Sequence, residues 1–147
     1  MIAQPPQVVF AFFVPQRLPY WYGAEMQVEI ELSDRSDEFT AGQKVRISGK
    51  LAGRLVCHTA LITQCRWGET LEWRFQDDYG VRGTERWEFE PASAGGVEGT
   101  RLKMTSEYSV PGTLRRLADS IFTQPSLARR NREYLSRLKR YAERGLS

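Results

Sequence analysis

From Met26 to Tyr108 the chain alternates apolar and polar residues with a period of two, in one short segment after another. Met26, Val28, Ile30 and Leu32 alternate with Gln27, Glu29 and Glu31, and Val45 and Ile47 with Arg46 and Ser48. Leu55–Thr63 follows a hairpin turn at Gly53. Leu71, Trp73 and Phe75 alternate with Glu72, Arg74 and Gln76, and Trp87 and Phe89 with Arg86, Glu88 and Glu90. Leu102, Met104, Ser106 and Tyr108 alternate with Arg101, Lys103, Thr105 and Glu107. Period-two alternation sends successive side chains to opposite faces of a strand. Six such strands joined by short turns predict an antiparallel meander with one dry face and one wet face. The polar stretch from Asp34 to Gly42 is a turn region from which Phe39 is expected to reach back to the core. Gly80–Gly83 holds no lysine and reads as a turn, not as a phosphate-binding loop.

Something must cover the dry face, and the C-terminal segment supplies it. Pro111-Gly112 breaks the last strand. Leu114, Leu117, Ala118 and Ile121 then recur at helical spacing, continued by Leu127, Asn131, Tyr134, Leu135, Leu138 and Tyr141. Such a stripe spans about 45 Å at about 1.5 Å per residue. Pro125 is expected to kink this helix or divide it near Thr123-Gln124, because it removes a backbone donor and clashes with the preceding turn. At the other end, Pro5-Pro6 opens a short helix through Val8, Val9, Phe10, Phe12 and Phe13, stopped by Pro15. Leu18-Pro19-Tyr20-Trp21-Tyr22 reads as a second helical turn ended by Gly23. The 147 residues suit one domain, 1–147, with one core.

The charge balance is uneven. Residues 111–147 hold nine Arg/Lys and three acids, a surplus of six, whereas the whole chain carries +3. A basic segment could face nucleic acid. Here the basic residues lie opposite a well-formed apolar stripe, and Tyr134 and Tyr141 belong to that stripe, so a solvated helix face is predicted and no nucleic-acid partner. No apolar run approaches the roughly 20 residues of a membrane span, and no signal peptide opens the chain. The expected compartment is therefore the cytoplasm. Cys57 and Cys65 fall on one predicted strand, about 26 Å apart at about 3.3 Å per residue, too far for a disulfide. One histidine and two separated cysteines predict no metal site, and no cofactor motif is present. Nothing in the sequence fixes an oligomeric state.

Several patterns resemble the START/Bet v 1-like (SRPBCC) superfamily, in its bacterial polyketide cyclase/dehydrase-like branch. Val8-Val9-Phe10-Ala11-Phe12-Phe13 with Pro15, Leu18-Pro19 and Trp21 is similar to that group's first helix pair. Ile62 with Leu71-Glu72-Trp73-Arg74 is similar to its central hairpin. Trp87-Glu88-Phe89-Glu90-Pro91 with Gly99-Thr100-Arg101-Leu102 is similar to its last hairpin, and Arg129-Arg130-Asn131 with Leu135 to Arg140 to its terminal helix. The resemblance implies an α+β helix-grip fold: a curved antiparallel sheet wrapped around the long C-terminal helix, with two short N-terminal helices. Members begin with a full strand, whereas only Met1 to Gln4 precede Pro5 here. The sheet is therefore expected to have six full strands plus an N-terminal stub at Ile2, unless the natural start lies upstream. Val14 stands where members usually carry an acidic residue.

A sheet curved around a helix leaves a gap wherever side chains do not fill it, and such gaps take ligands. The dry face is rich in rings: Trp73, Phe75, Trp87, Phe89 and Tyr108. With Trp21, Met104, Leu117 and Ile121 they are expected to line a cavity for a hydrophobic, ring-containing small molecule. Each ring alone is equally a core residue. His58, Ser106 and Tyr108 are the polar groups expected there, and His58 and Tyr108 are the candidate acid–base pair. A plain alternative for His58 is a histidine satisfied by a neighbouring backbone or hydroxyl group. No Ser-His-Asp set or carboxylate pair is visible. The leading expectation is a binding or carrier protein. Alternatives are a polyketide cyclase/dehydratase-type enzyme using His58, and a protein or ribosome interaction module.

Overall fold

The computed structural model describes residues 1–51, 53–112 and 124–145. Leu114, Leu117, Ala118 and Ile121 lie outside the described residues. Helix α1 spans Pro6–Phe10, with Pro6 in its first turn, and α2 spans Leu18–Trp21. A 3-10 turn at Ala24–Met26 leads into six strands: β1 Glu29–Leu32, β2 Lys44–Leu51, β3 Arg54–Arg66, β4 Thr70–Asp77, β5 Arg82–Ala94 and β6 Val97–Ser109. They pair in sequence order as one curved antiparallel sheet. Helix α3, Gln124–Arg144, closes the element order and completes the helix-grip architecture. It begins at Gln124 with Pro125 in its first turn, where a proline costs no intrahelical bond. Tyr134, Leu138 and Ala142 of this helix are buried in the same apolar cluster as Trp73, Trp87 and Phe89.

Three details depart from the sequence expectation. Met26 sits in the 3-10 turn, not in β1. Gly23 and Gln27 both adopt left-handed backbone (φ 62° and 52°), which closes a tight turn, and pairing starts only at Glu29 opposite Ser48. Gly83 belongs to β5, not to the preceding turn. Asp77 caps that turn instead, its Oδ1 accepting the N–H groups of Tyr79 and Val81 at 2.9 Å each. Lastly, β3 carries a bulge at Thr63, between the pairs Ile62–Trp73 and Gln64–Glu72. The Thr63 hydroxyl donates to Glu72 Oε1 at 2.6 Å. One extra residue reverses the facing that follows, so Cys65 pairs beside Leu71 on the inner side, whereas Cys57 lies on the outer side with Arg46. Both cysteines are free.

The N-terminal stub is present. Ile2 bridges Thr100 of β6 with two backbone hydrogen bonds of 2.9 and 2.8 Å. Thr100 Oγ1 adds a bond to the Gln4 carbonyl at 2.7 Å. Gly99 permits this approach, because a Cβ there would run into the Ile2 carbonyl oxygen. The stub is also held by α3, where Glu143 accepts the Ala3 N–H at 2.8 Å and Lys139 donates to the Met1 carbonyl at 3.0 Å.

Candidate functional site

Cross-strand register arranges the inner face in rows. One row runs Ala60, Phe75, Gly83, Tyr108; the next runs Ile62, Trp73, Glu85, Ser106; a third runs Cys65, Leu71, Trp87, Met104. His58 lies beyond the first row, opposite Asp77. The two ends of this face differ. At one end α1 and α2 fill the space with rings: Phe13 lies 4.7 Å from Trp21, 5.2 Å from Trp87 and 4.8 Å from Phe89, centroid to centroid. Trp21 and Trp87 are fully buried, and Trp21 Nε1 donates to the Phe12 carbonyl at 2.8 Å. Trp21, Trp87 and Phe89 therefore form a closed core at that end, and the polar handle of Trp21 is spent on backbone.

Among the described residues the other end is open. Tyr108 is 42% exposed, although it stands on the inner face. Phe75, His58 and Ser106 near it are partly buried, as is Met104 further along β6 beside Trp87. Phe75 lies between His58 and Tyr108, with ring centroids 5.6 and 6.4 Å away. Gly83 leaves Phe75 its place, since a Cβ there would come within 2.5 Å of the ring. Burial lowers the pKa of His58, and the Arg130 charge lowers it further against the opposing effect of Asp77. The imidazole is therefore neutral at neutral pH, able to donate and accept. Tyr108 is pushed up by burial and by the nearby Glu85, offset by Ser106 and Arg130.

Between the two ends sits a group absent from the sequence expectation. Glu85 is 6% exposed and faces inward between Trp73 and Ser106. The Tyr22 hydroxyl donates to its Oε2 at 3.0 Å. Tyr22 is placed by the end of α2, where its N–H bonds the Leu18 carbonyl at 2.9 Å. Its ring packs against Trp73 (6.0 Å) and Tyr134 of α3 (5.2 Å). Burial pushes the Glu85 carboxyl up to about 7, while the Tyr22 hydrogen bond, the Arg130 charge and the Trp73 indole act to hold it lower. Burial and the same carboxylate drive Tyr22 well above the usual phenol range. Tyr22 therefore stays protonated and serves as donor.

Arg130 corrects the expectation of a wholly solvated basic face. It is partly buried, one turn before Tyr134 on the line that continues through Leu138 to Ala142, and its Nε is buried without a hydrogen-bond partner among the described residues. Arg129, Arg132, Lys139, Arg140 and Arg144 are exposed as expected. Glu85 was legible in principle, because it shares the parity of Trp87 and Phe89 once β5 is extended back from Arg86. Among the described residues no group of three His, Cys, Asp or Glu could hold a metal ion, and no helix is long and apolar enough to cross a membrane. An open surface groove of about 500 Å³ lies elsewhere, beside Val8, Arg17 and Trp67.

The profile of the family described as polyketide cyclase / dehydrase and lipid transport matches residues 1–143. Protein CV1439 from Chromobacterium violaceum has a similar fold (TM-score 0.68, 15% identity, covering 97% of this chain and 93% of that one). So does SA2116 from Staphylococcus aureus (TM-score 0.67, 13% identity, 97% and 89%). Ara h 8.0201 is a third (TM-score 0.61, 11% identity, 96% and 91%). At these identities the likeness speaks for the fold alone. No curated protein matches the chain. A family match over almost the whole length, on a helix-grip fold with an N-terminal stub and a ring-lined inner face, means that this chain belongs to the polyketide cyclase/dehydrase and lipid transport family.

Proposed function

We propose that the protein binds an apolar, ring-containing small molecule in the gap between the sheet and α3, at the end bounded by His58, Phe75, Ser106 and Tyr108. The observation that carries this reading is the asymmetry of the inner face. Its rings are packed solid against α1 and α2, yet Tyr108 on the same face stays 42% exposed. An inward-facing ring left uncovered is apolar surface that a ligand can cover. The family description, which includes lipid transport, agrees with an apolar cargo. Trp73 stands in the adjoining row with Glu85 and Ser106.

Covering about 200–300 Å² of ligand apolar surface at about 25 cal/mol per Å² yields about 5–7 kcal/mol before ordering costs, hence micromolar or weaker binding. Titration of the protein with 2-methoxynaphthalene, followed by tryptophan emission and calorimetry, tests the reading. The expected result is saturable binding that Phe75→Ala weakens at least several-fold. Heat and emission that stay flat throughout, or binding that ignores Phe75→Ala, would contradict it.

A further inference from the structure

We propose that Glu85, held by Tyr22, is the specificity-determining group of this site: its carboxylate accepts the hydrogen bond of a ring hydroxyl, a phenol or an enol, on the bound ligand. The proposal rests on the binding reading above and names the ligand chemistry that the polar end of the gap selects. A carboxylate has about four lone-pair sites. Among the described residues Tyr22 fills one at 3.0 Å, and the Trp73 indole favours the charged carboxylate from the neighbouring strand. The remaining capacity is buried, and a buried acceptor left unfilled is costly. The Glu85 row lies directly beside the row of Phe75 and Tyr108, so a ring lying against Phe75 at that open end brings its substituent to the carboxylate.

The surroundings set the sign of the pH dependence. Tyr22 bonds Glu85 from just past α2, with Tyr134 of α3 packed on its ring; Arg130 acts on the carboxylate from α3, Trp73 from β4 and Tyr108 from β6, Ser106 is its partner in register, and His58 and Asp77 pair two rows away. Of these, Tyr22, Trp73 and Arg130 favour the charged carboxylate, and burial opposes it. The carboxylate titrates at about 7. A hydroxyl donor therefore gains affinity as pH rises through that value and loses it as pH falls. A ligand without a donor is indifferent to the same change.

Matched probes test this. 2-Naphthol and 2-methoxynaphthalene share a ring system and differ in the donor. Calorimetry at pH 8 should show 2-naphthol binding about tenfold more tightly, the size expected for a hydrogen bond to a charged group. The preference should shrink at pH 6 and vanish in Glu85→Gln. Tyr22→Phe should move the pH midpoint of the preference upward, because it removes a donor to the carboxylate. Equal binding of the two probes to the wild type, or a preference that survives Glu85→Gln, overturns the role of Glu85 and leaves the apolar site standing. Failure of both probes to bind overturns the site and the proposal together.

Discussion

Glu85→Gln should make the protein more stable at pH 8 and leave it nearly unchanged at pH 4. The carboxyl titrates at about 7 in the fold against an ordinary 4.5, because burial disfavours its charge. The native state therefore binds this proton more tightly than the unfolded chain does. Stability supplied by the protonated group is complete below about 4.5 and is lost as pH rises through about 7. At about 1.4 kcal/mol per pH unit, the loss over that window is about 3 kcal/mol. At 6% exposure the group has little water to soften the effect. Glutamine keeps the shape and an acceptor for the Tyr22 hydroxyl while removing the titration. Urea denaturation of wild type and variant at half-unit steps from pH 4 to 8 isolates this one group, since the other carboxylates and His58 are common to both. The variant's advantage should grow by about 3 kcal/mol across the series. Parallel pH profiles would refute the reasoning and place the Glu85 carboxyl in contact with water.

Leu138 of α3 is fully buried, so Leu138→Ala should cost about 2–5 kcal/mol in urea melts, and Leu135→Ala, half-buried, should cost less; a loss under about 1 kcal/mol at Leu138 would mean that the helix does not cover the sheet. Gly99→Ala should cost about 1–3 kcal/mol by driving a methyl group into the Ile2 carbonyl, and an unchanged melt would mean that the N-terminal stub is not docked. With a thiol-specific reagent at pH 8, Cys57 on the outer face should react faster than Cys65, whose thiol burial pushes up. Cys57→Ser should remove the fast phase, and a fast phase that persists would contradict the assigned faces.

The sheet was legible because its code is short-range. Leu71, Trp73 and Phe75 declare one face and Glu72, Arg74 and Gln76 the other, whatever the rest of the chain does. The reach of Phe39 into the core was legible because an isolated apolar residue in a polar stretch needs somewhere to go, whereas the stub at Ile2 followed from the family resemblance. The bulge at Thr63 was not, because two residues opposing one is a property of the β3–β4 pair and leaves no mark on β3 alone. Gln27 likewise gives no hint of its left-handed backbone. Glu85 and Arg130 were missed through their charge. Charged residues are counted to the wet face by default, and only position contradicts that: Glu85 stands two before Trp87 on β5, and Arg130 four before Tyr134 on α3. The two rules of periodicity place both residues inward, and the structure follows periodicity rather than polarity.

The most direct measurement of the central claim is chemical-shift mapping of isotope-labelled protein titrated with 2-methoxynaphthalene. The account predicts progressive shifts at Phe75, Ser106 and Tyr108, with intermolecular contacts from the probe ring to Phe75. Trp67 and Val8, which line the separate surface groove, should stay unmoved. Shifts confined to Trp67 and Val8, or none at the open end of the sheet, would contradict it.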